Sequence, residues 1–415
     1  MKKTVIFILC CLLLGVSAQA AAFKPVNPNA APEAKQLLSF LYSVQGKYTI
    51  TGQHNFVSDF PRYDNVVKEI TGTSSELWGA DFSFVALGDN VQRFQHCGPM
   101  NLTAPFGPCE VNGLTKAQLR QSIVDEAKIQ YENGRIITLM WHCCFPSNGD
   151  ECNGDDIWRL TDRLPSQKEW DELVTDGTEL NKQWKAQMDG VAIYLKQLQD
   201  ANVPVLWRPF HEMNGVWFWW CNKPGENGFK KLWIAMFDYF TKHHKLNNLL
   251  WVWNTNAPRD KVGDEAGPYA DFFPGVDYVD VLAADVYSND WKQSHHDQLL
   301  ELGGGKLIAL GEVGNAPTAE IYEKQPYWSW FMVWGYCIYD FSAMMANMPP
   351  PPPPPTEEEK AEQAAAPVAP PAAPAAPAMA FPNTNPAVKA IYDDARSLTL
   401  DRIDFSHKTY KLKKI

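Results

Sequence analysis

The chain repeats one pattern eight times, in which a short apolar run is followed by an amphipathic or polar stretch. The runs are rich in β-branched and aromatic residues, which is typical of strands buried on both faces of a parallel sheet. The eight predicted strands are Tyr48–Gly52, Glu76–Phe84, Arg135–His142, Val203–Glu212, Asn248–Asn256, Val279–Ser288, Lys306–Gly314 and Trp328–Gly335. The clearest predicted helices between them are Lys116–Asn133, Asn181–Ala201, Gly228–Lys245 and Ser294–Leu302.

Eight strand–helix units in succession predict an α/β protein built as a single (β/α)8 TIM barrel. An open, doubly wound sheet is the competing architecture. It is disfavoured because no glycine-rich phosphate loop follows the first strand, and the Gly303–Gly305 run precedes a strand and is only a turn.

A proline- and alanine-rich segment interrupts this pattern near the end of the chain. Of the 31 prolines, 14 lie between Pro349 and Pro386. Such a composition cannot bury enough apolar surface to offset its ordering entropy, so residues 348–382 are expected to be extended and mobile. Because Ala387–Ser397 still reads as a helix, we interpret the segment as an insertion in the eighth strand-to-helix loop, before the closing helix.

The first twenty residues have the features of a signal peptide. Lys2 and Lys3 precede an apolar run, and Ala18–Ala20 supplies small residues for cleavage. The run is too short to span a membrane, and no later segment is long enough. We therefore expect residues 21–415 to form one secreted or periplasmic domain with no membrane association after cleavage.

Charge and cysteine content limit the possible partners. The formal net charge is −11, which has the wrong sign for a protein that covers nucleic-acid phosphates. We expect no nucleic-acid partner and a monomeric chain. In an oxidising compartment some cysteines should pair, and a Cys97–Cys109 disulfide would close a short proline-rich loop.

The fourth predicted strand ends in a cluster of polar residues at the edge where barrel enzymes place their catalytic groups. Arg208, His211, Glu212 and Asn214 lie there, followed by the aromatic run of Trp217–Trp220. A surface ion pair would not require an arginine before the acid and four aromatic residues after it. A zinc protease motif is excluded because Gly215 occupies the position of its second histidine.

The seventh predicted strand ends in a single carboxylate, Glu312, between Gly311 and Gly314. Burying this group without a partner would be costly, whereas a cation such as Arg208 would keep it ionised. Strands four and seven face each other across a small barrel, so Glu212 and Glu312 form a predicted pair. Two such carboxylates about 5–5.5 Å apart are typical of retaining glycosidases, and a wider gap indicates inversion.

With these residues, the sequence resembles glycoside hydrolase family 26, and within it the β-mannanases. The matching segments occur in the family's order. They are GQHN at 52–55, MWH at 140–142, WRPFHEMNGVWFWW at 207–220, NNLLWVW at 247–253, ADVY at 284–287, LGEVG at 310–314, FMVWG at 331–335 and LTLDRI at 398–403.

The resemblance implies a retaining endo-β-1,4-mannanase without a cofactor, acting on β-mannan or a related plant polysaccharide. Glu212 would be the acid/base and Glu312 the nucleophile. His54 is interpreted as a rim residue that supports the site or contacts substrate. The predicted substrate-binding residues are His142, Arg208, His211, Trp217, Asp285, Tyr287 and Trp334.

Two alternatives remain open from the sequence. The same fold could act on mixed-linkage β-glucan or β-1,3-xylan, or it could be a carbohydrate-binding barrel without turnover, against which the presence of both carboxylates argues. We predict no metal, because the pairs His243–His244 and His295–His296 have no acidic or cysteine ligand at a useful spacing and are expected on the solvated surface.

Overall fold

The computed structural model describes residues 24–57, 60–82, 115–149, 157, 164–260, 264–340 and 383–413. Eight strands coincide with the eight predicted runs, and almost every one of their residues is buried. They are β1 (Thr49–His54), β2 (Leu77–Asp81), β3 (Ile136–Trp141), β4 (Val205–Pro209), β5 (Leu249–Asn256), β6 (Val281–Val286), β7 (Leu307–Val313) and β8 (Trp328–Val333).

The strands form a closed parallel barrel, as predicted. Each strand pairs with the next along the chain, and β1 pairs in parallel with both β2 and β8. The register shifts between Ala284 and Asp285 on β6 and also along the β7–β8 pair. The shift at Asp285 and the one between Leu310 and Val313 lie next to Asp285 and Glu312, where such shifts reorient side chains.

Helices connect the strands and cover the barrel. Five of the nine helices given below begin at a side-chain cap, such as Thr178, whose side chain accepts a hydrogen bond from Asn181 N. The helices are α1 (Pro32–Val44), α2 (Arg62–Thr71), α3 (Lys116–Glu132), α4 (Gln167–Leu173), α5 (Glu179–Asp200), α6 (Phe229–Asp238), α7 (Gln293–Gly303), α8 (Ala319–Lys324) and α9 (Asn385–Asp393). A π-helical turn, Tyr239–His243, continues α6, so the predicted helix 228–245 changes its winding part-way along.

Tryptophan supplies much of the core. Twelve tryptophan side chains are almost completely buried. Trp217, Trp291 and Trp334 are only partly buried, and two of these three belong to the predicted sugar site. Large aromatic side chains therefore serve mainly to fill the space inside the barrel and beneath its helices.

The expectation that His295 and His296 lie on the solvated surface is wrong. Both are buried on α7: Tyr269 Oη and His295 Nδ1 are 3.0 Å apart, and His296 Nε2 accepts a hydrogen bond from Tyr327 N at 3.4 Å. Both stand in the first turn of α7, which packs on β6 and β7, so their rings are covered by the barrel side of the helix. His295 packs against Tyr269 between β5 and β6, whereas His296 packs against Tyr327 and Trp328 at the start of β8, so different segments cover the two adjacent positions.

The end of the chain returns to the barrel after the proline-rich segment. Helix α9, which corresponds to the predicted closing helix, packs against α2, and Ser397–Leu398 then pairs in parallel with the start of β1. The predicted insertion at 348–382 lies outside the described residues. Its flanks are close together, because Asn385 N donates to Asp340 Oδ2 at 3.0 Å.

Several remaining predictions fall outside the described residues, including the signal peptide and the Cys97–Cys109 disulfide. Cys143, Cys221 and Cys337 are buried thiols, and Cys144 is disulfide-bonded. Within the described segments, no helix has both the length and the apolar character that a membrane span requires.

Candidate active site

The polar ends of β4, β6 and β7 meet at the carboxyl-terminal rim of the barrel. Immediately after β4 the backbone adopts left-handed conformations at Phe210 and Glu212, with φ of 50° and 55°. Such conformations are costly for non-glycine residues and are concentrated at functional sites. Glu212 is fixed there by its backbone N–H, which donates to Asn254 O at 2.8 Å.

The environment of Glu212 favours the protonated form of its carboxyl group. The residue is only 8 % exposed. Burial, followed by the charge of Glu312, raises the pKa of Glu212 to about 8. Trp217 Nε1 donates a hydrogen bond to Glu212 Oε2 at 2.6 Å, which opposes this rise. Gly215 allows this contact, because a Cβ there would lie 2.5 Å from the Trp217 ring.

Glu312 occupies the opposite kind of environment. Arg208 Nη2 donates to its Oε1 at 2.7 Å, and the Tyr287 hydroxyl donates to its Oε2 at 2.6 Å. Both oxygens of the carboxylate therefore accept hydrogen bonds, one from a permanent cation. Burial raises the pKa of Tyr287 well above its usual value, so the phenol remains a donor. The site therefore provides a permanent positive charge and a hydroxyl donor for this buried carboxylate.

Asp285 lies beside Glu312, its pairing partner on the neighbouring strand, and is completely buried. Its Oδ2 is 3.5 Å from Arg208 Nη1, and Arg208 Nη1 also donates to Asn254 Oδ1 at 3.4 Å. A Cβ at position 311 would lie 1.6 Å from Asn254 Oδ1, so only glycine leaves room for this arrangement beside Glu312. Burial and the charge of Glu312 raise the pKa of Asp285 well above its usual value.

Histidines line the wall next to Glu312. His211 Nε2 is 3.8 Å from Glu312 Oε1, and the rings of His142 and His211 meet edge to face at 4.5 Å. Burial lowers the pKa of His211 well below its usual value, so His211 is neutral. His142 Nδ1 lies 2.6 Å from Asp81 Oδ2, a buried contact that fixes the orientation of its ring.

The floor of the site combines Trp334 with His54. Their rings stack at 4.1 Å with an interplanar angle of 20°. His54 is completely buried, and burial lowers its pKa to about 3. His54 therefore supports Trp334 from behind as a neutral ring, while the half-buried Trp334 presents an aromatic surface.

The structure brings together all nine predicted site residues, and it adds residues that sequence reasoning missed. Asp81 is the last residue of β2, and Glu312 is the next-to-last residue of β7. A search for polar residues at the carboxyl ends of the predicted strands could therefore have found Asp81. Asn254 was part of a predicted strand without an assigned role. Asn383 had no local signal: it follows the proline-rich segment, yet its Nδ2 donates to Gly314 O at 2.8 Å and Cys337 O at 2.6 Å.

The donor atoms of His211, Asp285 and Glu312 lie within 4.8 Å of one another, close enough to consider a metal. Arg208 already contacts both carboxylates from within this cluster. The positive charge that the carboxylates require is therefore supplied by a guanidinium, and a further cation would be repelled by it.

Comparison with known proteins agrees with this arrangement. The family model for glycosyl hydrolase family 26 matches residues 111–347, which include both carboxylates and more than half of the chain. The chain belongs to glycosyl hydrolase family 26. This assignment confirms the family that the sequence motifs predicted.

Individual relatives give the same family and fold. The solved structure of GH26A from Muricauda sp. MAR_2010_75 is 38% identical, covering 91% of this chain and 100% of that chain with a TM-score of 0.69. The β-mannanase from a symbiotic protist of the termite Reticulitermes speratus, solved with a gluco-manno-oligosaccharide, is 27% identical and covers 91% of this chain and 97% of its own, with a TM-score of 0.65.

A mannan endo-1,4-β-mannosidase of Thermothelomyces thermophilus is 32% identical over 315 residues, which are 74% of this chain and 56% of that protein. The chain thus spans about half the length of the first curated relatives it matches.

Proposed function

We propose that this family 26 protein is a retaining endo-β-1,4-mannanase that acts by double displacement. The observation that carries the proposal is the contrast between its two carboxyl groups. Glu312 accepts hydrogen bonds from Arg208 and Tyr287, whereas burial and the neighbouring charge raise the pKa of Glu212 to about 8. A nucleophile must be ionised and a general acid protonated at the same pH, which is the condition met here.

In the first step, a Glu312 oxygen attacks the anomeric carbon of the sugar at the cleavage point. The bond from that carbon to the leaving oxygen breaks, and the Glu212 proton passes to the leaving oxygen. The product is a glycosyl ester on Glu312 and a Glu212 carboxylate. Arg208 remains beside Glu312 throughout and balances the charge that shifts between carboxylate and ester.

In the second step, the ionised Glu212 accepts a proton from water, whose oxygen attacks the anomeric carbon. The ester bond to Glu312 breaks, which restores both carboxyl groups and leaves the product with its original anomeric configuration. Loss of the Glu312 negative charge in the intermediate lowers the Glu212 pKa, because that charge is, after burial, the largest cause of its rise. The same residue can therefore act first as acid and then as base.

We propose that the remaining wall residues hold the sugar. Trp217 and Trp334 are half-buried rings suited to stacking on pyranose faces. His142, oriented by Asp81, and the neutral His211 offer nitrogen atoms to hydroxyl groups. The complete burial of Asp285 favours a supporting position beside Glu312 over direct contact with a hydroxyl group.

The substrate class rests on similarity. Relatives from Thermothelomyces thermophilus, from Piromyces and from Bacillus subtilis are mannan endo-1,4-β-mannosidases. The termite protist enzyme was solved with a gluco-manno-oligosaccharide. These relatives support β-mannan or glucomannan as the substrate of this chain.

Parallel hydrolysis of mannan, lichenan and β-1,3-xylan tests the proposal. We expect mannan to be cleaved fastest, with mixed short oligosaccharides from the start and β-configured ends first by proton NMR. Faster cleavage of lichenan or xylan would change the substrate, and α-configured first products would exclude double displacement. An activated fluoro-sugar should label Glu312, and no labelling together with no turnover would indicate a binding protein.

We also propose that residues 1–20 are a signal peptide and that the mature domain is exported as a monomer. The positive start, apolar run and small residues before position 21 support this processing. Amino-terminal sequencing of the exported protein should begin at Ala21, and an intact Met1 in the exported fraction would contradict it. Light scattering should give one chain per particle.

A further inference from the structure

A second cluster of potential ligands lies on the outer helix layer of the barrel. Asp189 on α5 faces His243 and His244, which follow α6 along the π-helical turn. The ligand atoms of the three residues lie within 4.8 Å of one another. Asp189 and His244 are 55 residues apart in the chain, so only the packing of these segments brings them together.

The π-helical turn is what presents two consecutive histidines to one carboxylate. Adjacent residues of an α-helix point about 100° apart, since a turn holds 3.6 residues. Here the His243 and His244 rings meet edge to face with centroids 4.9 Å apart. Single π-helical turns in proteins frequently occur at functional sites.

The carboxylate of Asp189 is already oriented for a ligand role. Its Oδ1 lies 2.8 Å from His244 Nε2 and accepts a hydrogen bond from the Tyr239 hydroxyl at 2.9 Å. The ring of His243 stacks on Tyr239 at 4.6 Å with an interplanar angle of 10°. Tyr239 therefore positions both the carboxylate and one imidazole, as outer-shell residues do at metal sites. Lys185, which lies over the Tyr239 ring, is bound to Asp176.

We propose that Asp189, His243 and His244 bind a divalent transition-metal ion such as Zn²⁺. Two imidazole nitrogens and one carboxylate oxygen are ligands that zinc accepts in a tetrahedral site, with water in the fourth position. The Asp189 side chain is 50% exposed and that of His244 is 21% exposed, so an ion can enter from solvent. Bound there, the ion would join α5 to the end of α6 and stabilise the folded chain.

Zinc titration of the chelator-treated full chain by calorimetry tests the site. We expect saturable binding, and a melting temperature that rises with Zn²⁺ concentration because the folded chain binds the ion. Replacing both histidines, H243A with H244A, should abolish this binding. Replacing Tyr239 by Phe should weaken it about tenfold, because the hydroxyl only orients a ligand.

Two controls separate this site from other binding. His407→Ala removes an exposed histidine elsewhere and should leave the titration unchanged. Glu312→Ala disrupts the cluster in the barrel and should also leave it unchanged. Equal binding by the H243A/H244A variant, or loss of binding in Glu312→Ala, would overturn the proposal. If the double variant is unstable, Asp189→Asn provides the same test, and undiminished binding by it would also overturn the proposal.

Discussion

At the carboxyl-terminal end of the barrel, Glu212 and Glu312 are buried beside other side chains, Trp217 for one and Arg208 and Tyr287 for the other. At the opposite end, Asp280 is just as deeply buried, immediately before β6. Its oxygens accept hydrogen bonds from the backbone of Val26 and Trp251, both at 2.8 Å. Burial raises the pKa of Asp280 to about 6.

The two ends differ in the groups to which each carboxyl is hydrogen-bonded. Asp280 fixes the segment before α1 and the strand β5 through main-chain N–H groups, so its role is structural. The carboxyl groups at the other end are held by side-chain donors and charges, and these interactions change when a proton or a bond is transferred. Burial alone therefore does not mark a reactive carboxylate, and the nature of its partners does.

The largest effect that tests this comparison is expected for Glu312→Ala. Without its nucleophile the folded enzyme should lose activity by about 10⁴-fold or more. Azide should restore turnover and give a product of inverted configuration. The matched variant Asp280→Ala should keep kcat per folded molecule and lose stability by about 1–3 kcal/mol, because it strands two buried N–H donors. A comparable loss of kcat in Asp280→Ala would break the comparison.

Glu212→Ala should produce the next largest effect, and one that depends on the leaving group. Loss of acid assistance should slow mannan hydrolysis about 10²–10⁴-fold. Aryl glycosides with good leaving groups need little protonation, so their first step should be much less affected. The ratio of the two rates, measured against wild type, provides the test. An equal loss of rate for both substrates would show that Glu212 is not the general acid.

Trp217→Phe should change the pH profile more than the maximal rate. Activity requires protonated Glu212, so kcat/KM should fall as the pH rises through about 8. The Trp217 hydrogen bond favours the ionised form, and its removal should raise the Glu212 pKa and move this alkaline limb to higher pH. Trp291→Phe, in which the lost Nε1 bond was to Asn289, serves as the control. A shift to lower pH in Trp217→Phe would contradict the assignment.

The smallest effect is expected from deleting Pro349–Ala380, which we interpret as an insertion in the eighth strand-to-helix loop. The flanking residues are already joined by the Asn385 N to Asp340 Oδ2 bond, so a short connection can replace the segment. Melting temperature and hydrolysis of short substrates should be unchanged. By contrast, Asn383→Ala should lower both, because it frees the loops after Glu312 and Trp334. An unfolded deletion variant would show that the segment is structural.

Much of the fold could be predicted because its signals are local. Each of the strands β1 to β8 corresponds to an apolar run that can be recognised in the sequence without knowledge of its spatial neighbours. The predicted and observed ends of each strand differ by a few residues at most. Glu212 and Glu312 could be paired in advance because parallel strands in a barrel direct their carboxyl ends to one rim. Helix faces were less predictable, as His295 and His296 show, because burial there depends on loops that pack from elsewhere.

The sequence by itself determined the strand order, the class of fold and the two carboxyl groups at the rim, since apolar periodicity and strand connectivity act over short stretches of chain. Tertiary structure alone decided the protonation of Glu212, the support of His142 by Asp81, the anchoring of the rim by Asn383 and the meeting of Asp189 with His243 and His244. The physical reason is that hydrogen bonds and desolvation act over a few ångströms, and those neighbours come from segments that only packing brings together.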